Sequence, residues 1–366
     1  MSKPKIDLVL LPGDGVGPEI IAAAQAVLSA VERRFQISVE TDSRLIGGAA
    51  IEAHGTPLRA EDLERCNLAD AVLLGAVGGP KWDDPKATVR PEQGLLRLRK
   101  GMGLFANLRP VAVMASLVDR APIKPELLTG VDMMVVRELT GGVYFGRPRK
   151  SWRERRGRAA LDTLIYREYE VERISRLAFE IARDRKGKLA SVDKANVLDT
   201  SRLWRSVVTE MAPEYPDVEL EHVLVDSMTM HLIREPARFD VIVTENMFGD
   251  ILTDEASVLA GSIGMLPSAS IGAPRSGSDS RRRGVYEPIH GSAPTIAGKG
   301  LANPVGTILS LAMLFRISLQ RDDVGSAIET AVSTVINSGK RTPDIADIDS
   351  TVVSTGELGS AIAQAI

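Results

Sequence analysis

Asp250 and Asp254 stand four residues apart in the run Asn246-Met247-Phe248-Gly249-Asp250-Ile251-Leu252-Thr253-Asp254-Glu255-Ala256-Ser257. On a helix that spacing puts two carboxylates on one face, a turn apart. Like charges so placed repel unless a cation lies between them, and a hard divalent ion with oxygen ligands, Mg²⁺ or Mn²⁺, suits the pair. The competing reading is an exposed acidic helix start, favoured by the helix dipole. Position raises the odds of a metal. The run follows Phe239-Asp240-Val241-Ile242-Val243-Thr244, an apolar β-branched stretch that reads as a buried strand. Open α/β sheets place their ligands beyond the carboxyl ends of strands. Gly249 is expected at the turn, with helix from Asp250 onward. Asp226, at the end of a strand over 221–225, is a candidate third ligand.

Other reactive side chains also sit at strand ends. Lys194 follows a strand over 189–192, in Asp193-Lys194-Ala195-Asn196-Val197. Burial lowers the pKa of an ammonium, so a lysine there is a candidate proton carrier, with a plain surface lysine as the alternative. Arg109 ends a strand over 104–110 and Arg137 ends another over 131–136, while Arg99 lies on a short helix over 91–100. Several arginines so placed suggest a site for carboxylates. Leu95 and Leu96 share the Arg99 helix and can point into the same cavity.

Glycine-rich turns supply candidate ligand-binding backbone. Pro12-Gly13-Asp14-Gly15-Val16-Gly17-Pro18 joins a strand over 6–11 to a helix reaching Phe35, but its spacing is not G-x-G-x-x-G. It reads as a tight strand-to-helix connection near a ligand, not as a Rossmann fingerprint. A strand over 69–74 runs into Gly75-Ala76-Val77-Gly78-Gly79-Pro80. Residues 267–284 read as a Pro/Ser/Gly-rich loop carrying Arg275 and Arg281-Arg282-Arg283. The small-residue segment around His290, with Asn303-Pro304 beyond, is apt for close contact with a nucleotide.

These elements alternate strand and helix, which points to an α/β protein. The chain's 366 residues suggest about two domains. A net charge of −3 gives no general electrostatic case for nucleic acid or membrane. The single cysteine, Cys66, leaves no intrachain disulfide and reads as inert packing. No signal segment or spanning apolar run is recognisable, so a cytoplasmic protein is expected. Residues 146–158 are strongly basic and include Trp152; an exposed hairpin with a charged tip, of the kind that pairs between subunits, fits them better than a nucleic-acid site.

On these residues, and above all on the run from Asn246 to Gly261-Ser262-Ile263-Gly264-Met265, the chain resembles the β-decarboxylating dehydrogenases of (2R,3S)-hydroxy acids, the isocitrate/isopropylmalate dehydrogenase family. The likeness covers nearly the whole chain. It implies an α/β fold of two domains sharing a large mixed sheet, not a Rossmann fold. Residues 1–108 with 262–366 would form the first, cofactor-side domain. Residues 109–261 would form the second, with an arm at about 142–167. A homodimer with shared active sites is also implied. Carried over residue by residue, Arg99, Arg109 and Arg137 would hold the malate carboxylates and hydroxyl. Asp250 and Asp254, with Asp226 of the other subunit, would bind Mg²⁺ or Mn²⁺. Lys194 from that subunit would accept the hydroxyl proton, and Tyr144 would protonate the enol carbon. Glu92 would face the nicotinamide, with His290, Gly291, Ser292, Ala293, Thr295 and Asn303 about the rest of the dinucleotide.

Within the family, Leu95, Leu96 and the partner's Val197 offer an apolar wall where isocitrate enzymes resemble one another in a polar pair. Burying a branched three-carbon group is worth about 2 kcal/mol, whereas burying an unpaired carboxylate there would be prohibitive. The expected reaction is therefore oxidative decarboxylation of 3-isopropylmalate to 4-methyl-2-oxopentanoate, a step of leucine biosynthesis. Another 3-alkylmalate or tartrate is the alternative within the family, and nucleic-acid binding by the basic arm the alternative outside it. NAD is the expected cofactor. Thr295 stands where NAD-dependent relatives usually carry Asp, and with Arg281-Arg282-Arg283 it keeps NADP as the alternative.

Overall fold

The computed structural model describes residues 5–84, 87–275 and 281–366. The chain divides into two compact units. The first is built from residues up to Leu104, from Met114–Pro122 and from Ala260–Ile366; the second comprises Phe105–Val113 and Ile123–Leu259.

The first unit carries five strands in the order Ser38–Ser43, Lys5–Gly13, Ala71–Ala76, Arg282–Pro288, Pro267–Pro274. The first four are parallel and the last is antiparallel to its neighbour. Leu8, Leu10, Leu73 and Leu74 are fully buried, as the apolar runs require of strands covered on both faces. Helices Gly17–Phe35 and Val305–Ile317 supply the cover, and Thr355–Ala365 packs on the first of them. Gly13 and Gly15 hold positive φ angles of 71° and 58°, so the turn between the first strand and helix needs glycine.

The expected loop over 267–284 is instead largely an antiparallel hairpin, with strands Pro267–Pro274 and Arg282–Pro288 in register Ser268 to Glu287. Its small polar residues hide a buried strand. Ser268 Oγ donates to Glu287 O at 2.9 Å and Ser270 is wholly buried, so hydroxyl hydrogen bonding takes the place of apolar side chains. Part of the expected loop, residues 276–280, lies outside the described residues.

The second unit carries Ala106–Ala112, Asp132–Glu138, Val241–Thr244, Lys188–Asp193 and Glu219–Leu224, side by side in that order. The first pair is antiparallel and the others are parallel. Four parallel strands thus end at one edge, which receives Arg137, Lys194, Asp226 and Asn246 at or just past their carboxyl ends. Helix Glu168–Asp184 buries Val171, Ile174 and Ala178, the stripe its periodicity requires. Strands Lys150–Glu154 and Gly157–Leu161 form a separate exposed hairpin with the basic turn at its tip. Residues 143–145, strand-like in sequence, form turns that lead into it.

Candidate active site

Strand register brings Arg109 and Arg137 together. Asn107 lies opposite Arg137 across the antiparallel pair, and Arg109 is two residues from Asn107 on the same face. Arg109 is therefore in mid-strand and not at a strand end, as the sequence suggested, because the strand continues through Pro110 to Ala112. Its Nε donates to Asn107 Oδ1 at 2.7 Å and its Nη1 to Thr253 Oγ1. Both arginines are buried, at 7% and 2% exposure, so their charges need fixed partners.

Those partners come from the helix Asn246–Ser257. It starts three residues before Gly249, which lies within its first turn rather than at the preceding turn. Glu245 is the N-cap and accepts from Phe248 N at 2.8 Å. A Cβ at Gly249 would stand 2.6 Å from Arg137 Cγ, so the glycine lets the arginine lie against the helix backbone. Asn246, Asp250, Thr253 and Asp254 recur at helical spacing along the face toward the arginines. Arg137 Nη1 donates to Asp250 Oδ1, and Arg109 approaches Asp250 and Asp254 at 3.7 Å each. Tyr144 donates to Asp250 Oδ2 at 2.8 Å. Burial, followed by the charge of Asp250, pushes the Tyr144 phenol up to about 12.

Asp254 is exposed at its tip; partial desolvation raises its carboxyl, Arg109 opposes the shift and the neighbouring Asp250 adds to it. Two acidic groups whose mutual repulsion is incompletely offset suit a divalent cation. Among the described residues no three His, Cys, Asp or Glu side chains gather as a metal set. Asp226 lies elsewhere in the unit, in the first turn of helix Val225–Arg234 rather than at the strand end. There it accepts from Lys194 Nζ at 2.7 Å, and that ammonium holds its carboxyl below the usual range. Val197, on the Lys194 turn, is 62% exposed.

In the first unit, Arg99 is buried and its Nη2 donates to Glu287 Oε1 at 2.6 Å. Leu95 and Leu96 are half-buried on the same helix, and Glu92 is exposed at its start. Glu92 Oε1 would lie 3.1 Å from a Cβ at Gly78, whose N–H donates to Asp14 Oδ2 at 2.8 Å. Asp14 also accepts from Gly48 and Ala49, tying two loops together. Ser292 O accepts from Val16 N at 2.9 Å, and Ala293 holds a positive φ of 40°, a strained state of the kind found at binding loops. A Cβ at Gly291 would meet nothing, which leaves open space beside this loop. Burial holds His290 below its usual pKa, favouring the neutral imidazole. Asn303 faces inward: its Oδ1 accepts from Val305 N and its Nδ2 donates to Asp344 Oδ2, both at 3.0 Å.

The arginine-rich segment is far from that loop. Arg275 Nη2 donates to Ala69 O and Asp70 O, just before the strand Ala71–Ala76, and Arg275 N donates to Arg281 O. Arg282 starts a strand parallel to Ala71–Ala76, and its Nη1 donates to Gly272 O at 3.0 Å. Arg281, Arg282 and Arg283 therefore sit at the amino end of these strands. Residues 290–295 follow the carboxyl end, about 17 Å away for a six-residue strand. Sequence reasoning missed Glu287, Asn246, Asp14 and Asp344. Only Asn246 carried a signal, by opening the acidic run.

Two buried arginines thus face two carboxylates and a phenol, a charge set able to take an anionic ligand. The chain matches the family described as isocitrate/isopropylmalate dehydrogenase over residues 7–362. It is 59% identical to the 3-isopropylmalate dehydrogenase of Anaeromyxobacter dehalogenans over 96% of this chain and 98% of that one. Identity to the Pseudomonas fluorescens protein of the same name is 53%, over 98% of each. An isocitrate dehydrogenase structure from Methylococcus capsulatus superposes with a TM-score of 0.85 at 33% identity, covering 98% of this chain and 99% of that one. The chain belongs to the isocitrate/isopropylmalate dehydrogenase family.

Proposed function

We propose that this chain catalyses the NAD-dependent oxidative decarboxylation of 3-isopropylmalate to 4-methyl-2-oxopentanoate, a step of leucine biosynthesis. The observation that carries the substrate is identity above one half, across nearly the whole chain, to relatives bearing the name 3-isopropylmalate dehydrogenase.

Arg109 and Arg137, with Arg99, hold the substrate's carboxylates and hydroxyl through charge-assisted hydrogen bonds. Leu95, Leu96 and the partner subunit's Val197 cover its isopropyl group. Asp250, Asp254 and the partner subunit's Asp226 hold Mg²⁺ or Mn²⁺, which when bound supplies Lewis acidity at the hydroxyl oxygen and an electron sink for decarboxylation. The partner subunit's Lys194 takes the hydroxyl proton as hydride passes from C2 to NAD. The bond to the 3-carboxylate then breaks, CO₂ leaves, and Tyr144 protonates C3 of the enol. Its hydrogen bond to Asp250 orients the phenol for that step.

Two features support a homodimer. Met230, Ile233, Ile251 and Val258, on or beside helices Val225–Arg234 and Asn246–Ser257, are 42–56% exposed, an apolar surface suited to a second copy. Lys194 and Asp226, the pair assigned to the neighbouring site, already touch each other and can be delivered together. Glu92, His290, Gly291, Ser292, Ala293, Thr295 and the backbone of Asn303 line the dinucleotide. Exposed Thr295 carries no charge to repel a 2′-phosphate, while Arg281, Arg282 and Arg283 lie at the other end of the strands. NAD is therefore preferred, with weak discrimination against NADP.

The test is a steady-state assay with 3-isopropylmalate and Mg²⁺, run in parallel with NAD and NADP. Turnover with NAD that stops on chelation is expected. Absence of turnover with both cofactors would refute the assignment and turn attention to other 3-alkylmalates and tartrate.

A further inference from the structure

Asn246 is 1% exposed and its side-chain amide is engaged on both sides. Its Oδ1 accepts from Arg137 Nε at 3.0 Å and from Arg137 Nη2 at 2.8 Å. Its Nδ2 donates to Leu139 O and Gly141 O, both at 3.2 Å. This pattern admits one orientation of the amide, because the oxygen faces two donors and the nitrogen faces two carbonyls. The backbone N–H of Asn246 donates to Tyr166 Oη at 2.9 Å, which anchors the residue independently of its side chain.

The two sides of the amide serve different parts of the site. Two hydrogen bonds along the Nε edge fix the plane of the Arg137 guanidinium, which Asp250 engages through Nη1. The two carbonyls belong to the segment that turns at Gly142, with φ of 73°, and delivers Tyr144 to Asp250. The Arg137 guanidinium carbon lies 5.9 Å from the centre of the Tyr144 ring, so both groups occupy one small space.

We propose that Asn246 is a positioning residue that sets Arg137 and the Tyr144 loop in a common geometry through a single amide. This rests on the roles given above to Arg137 and Tyr144. No other side chain of this size supplies one acceptor edge and two donors. Aspartate would turn an anionic oxygen toward two carbonyls and would also compete with substrate for Arg137. Alanine would remove all four bonds.

Asn246→Asp and Asn246→Ala should each lower kcat/KM for 3-isopropylmalate by about 100-fold, the usual scale for misplaced reacting groups. The loss should divide between a raised KM for the hydroxy acid and a lowered kcat, with the KM for NAD within about twofold of wild type. The aspartate variant is isosteric, and thermal unfolding run alongside reports its folding. If alanine alone fails to fold, aspartate carries the test. If both variants stay within about threefold of wild type, or if both KM values shift together with a lost unfolding transition, the positioning role is wrong. Arg137→Lys serves as the control on the underlying reading. A normal KM for the hydroxy acid in that variant would overturn the role of Arg137, and the inference with it. A raised KM there beside unaffected Asn246 variants would overturn the inference alone.

Discussion

A phenol can give a proton to carbon only while it holds one, and the surroundings of Tyr144 ensure that it does. Burial and the Asp250 charge raise its pKa to about 12, so it stays protonated throughout the neutral and moderately alkaline range. Tyr144→Phe should lower kcat by about 100-fold or more, the span of general acid catalysis, with little change in KM for the hydroxy acid. In the metal-free protein, ultraviolet difference spectra should show no ionisation of this phenol through the moderately alkaline range. Asp254 presents the opposite case. Its carboxyl is raised above its unfolded value, so its contribution to stability is present below about pH 4 and is lost as pH rises through the folded value. The Asp254 side chain is 66% exposed, so solvent screening leaves only a small cost to its ionised form at pH 7 in the metal-free protein. Asp254→Asn should raise the metal-free Tm while abolishing the further rise that Mg²⁺ gives the wild type, as differential scanning calorimetry with and without the ion can read. A lowered metal-free Tm would mean that the Arg109 contact outweighs the repulsion.

At the scale of elements, one helix organises the site, and one glycine allows it to do so. Gly249 to Ala should gain up to about 1 kcal/mol of helix propensity. The added Cβ would stand 2.6 Å from Arg137 Cγ, and the arginine is gripped at its far end by Asn246 and Asp250. Overpacking of this kind costs about 1–3 kcal/mol, so Gly249→Ala should be less stable than wild type and lose activity toward 3-isopropylmalate. Denaturant unfolding and initial rates check the two halves; a more stable variant with full activity would show that the arginine yields freely. This helix was legible in sequence because its acidic pair follows a plainly apolar strand. Its first turn was not, since Gly249 imitates a turn residue and Arg137 is remote in sequence. The hairpin over 267–288 was hidden for a different reason: its buried Ser268 satisfies its hydroxyl at Glu287 O, a partner that alternation of apolar residues does not report.

At the scale of the whole molecule, the proposed division of the site between subunits makes a quantitative prediction. If Lys194 acts in the partner's site, Lys194→Ala and Asp250→Asn homodimers should each be nearly inactive. Their randomly mixed heterodimers each hold one intact site. Co-expressed at equal levels, the two variants should therefore recover about one quarter of wild-type activity. No recovery in a mixed dimer confirmed by mass would mean that Lys194 and Asp250 of one chain serve the same site. Cys66 should stay silent in such work, because burial pushes its thiol up to about 12 and no thiolate forms near neutrality.

By itself the sequence determined the alternation of strands and helices, the family, and the residue types that carry the chemistry, because these depend on local periodicity and on motifs contiguous in the chain. Tertiary structure alone decided which of those groups meet. Register across one antiparallel pair sets Arg109 beside Arg137, and the helix after Glu245 brings Asn246 and Asp250 onto them. The course of one parallel strand separates Arg281, Arg282 and Arg283 from the nucleotide loop. The helix contacts join residues more than a hundred positions apart, and no local pattern along a chain encodes a distance of that kind.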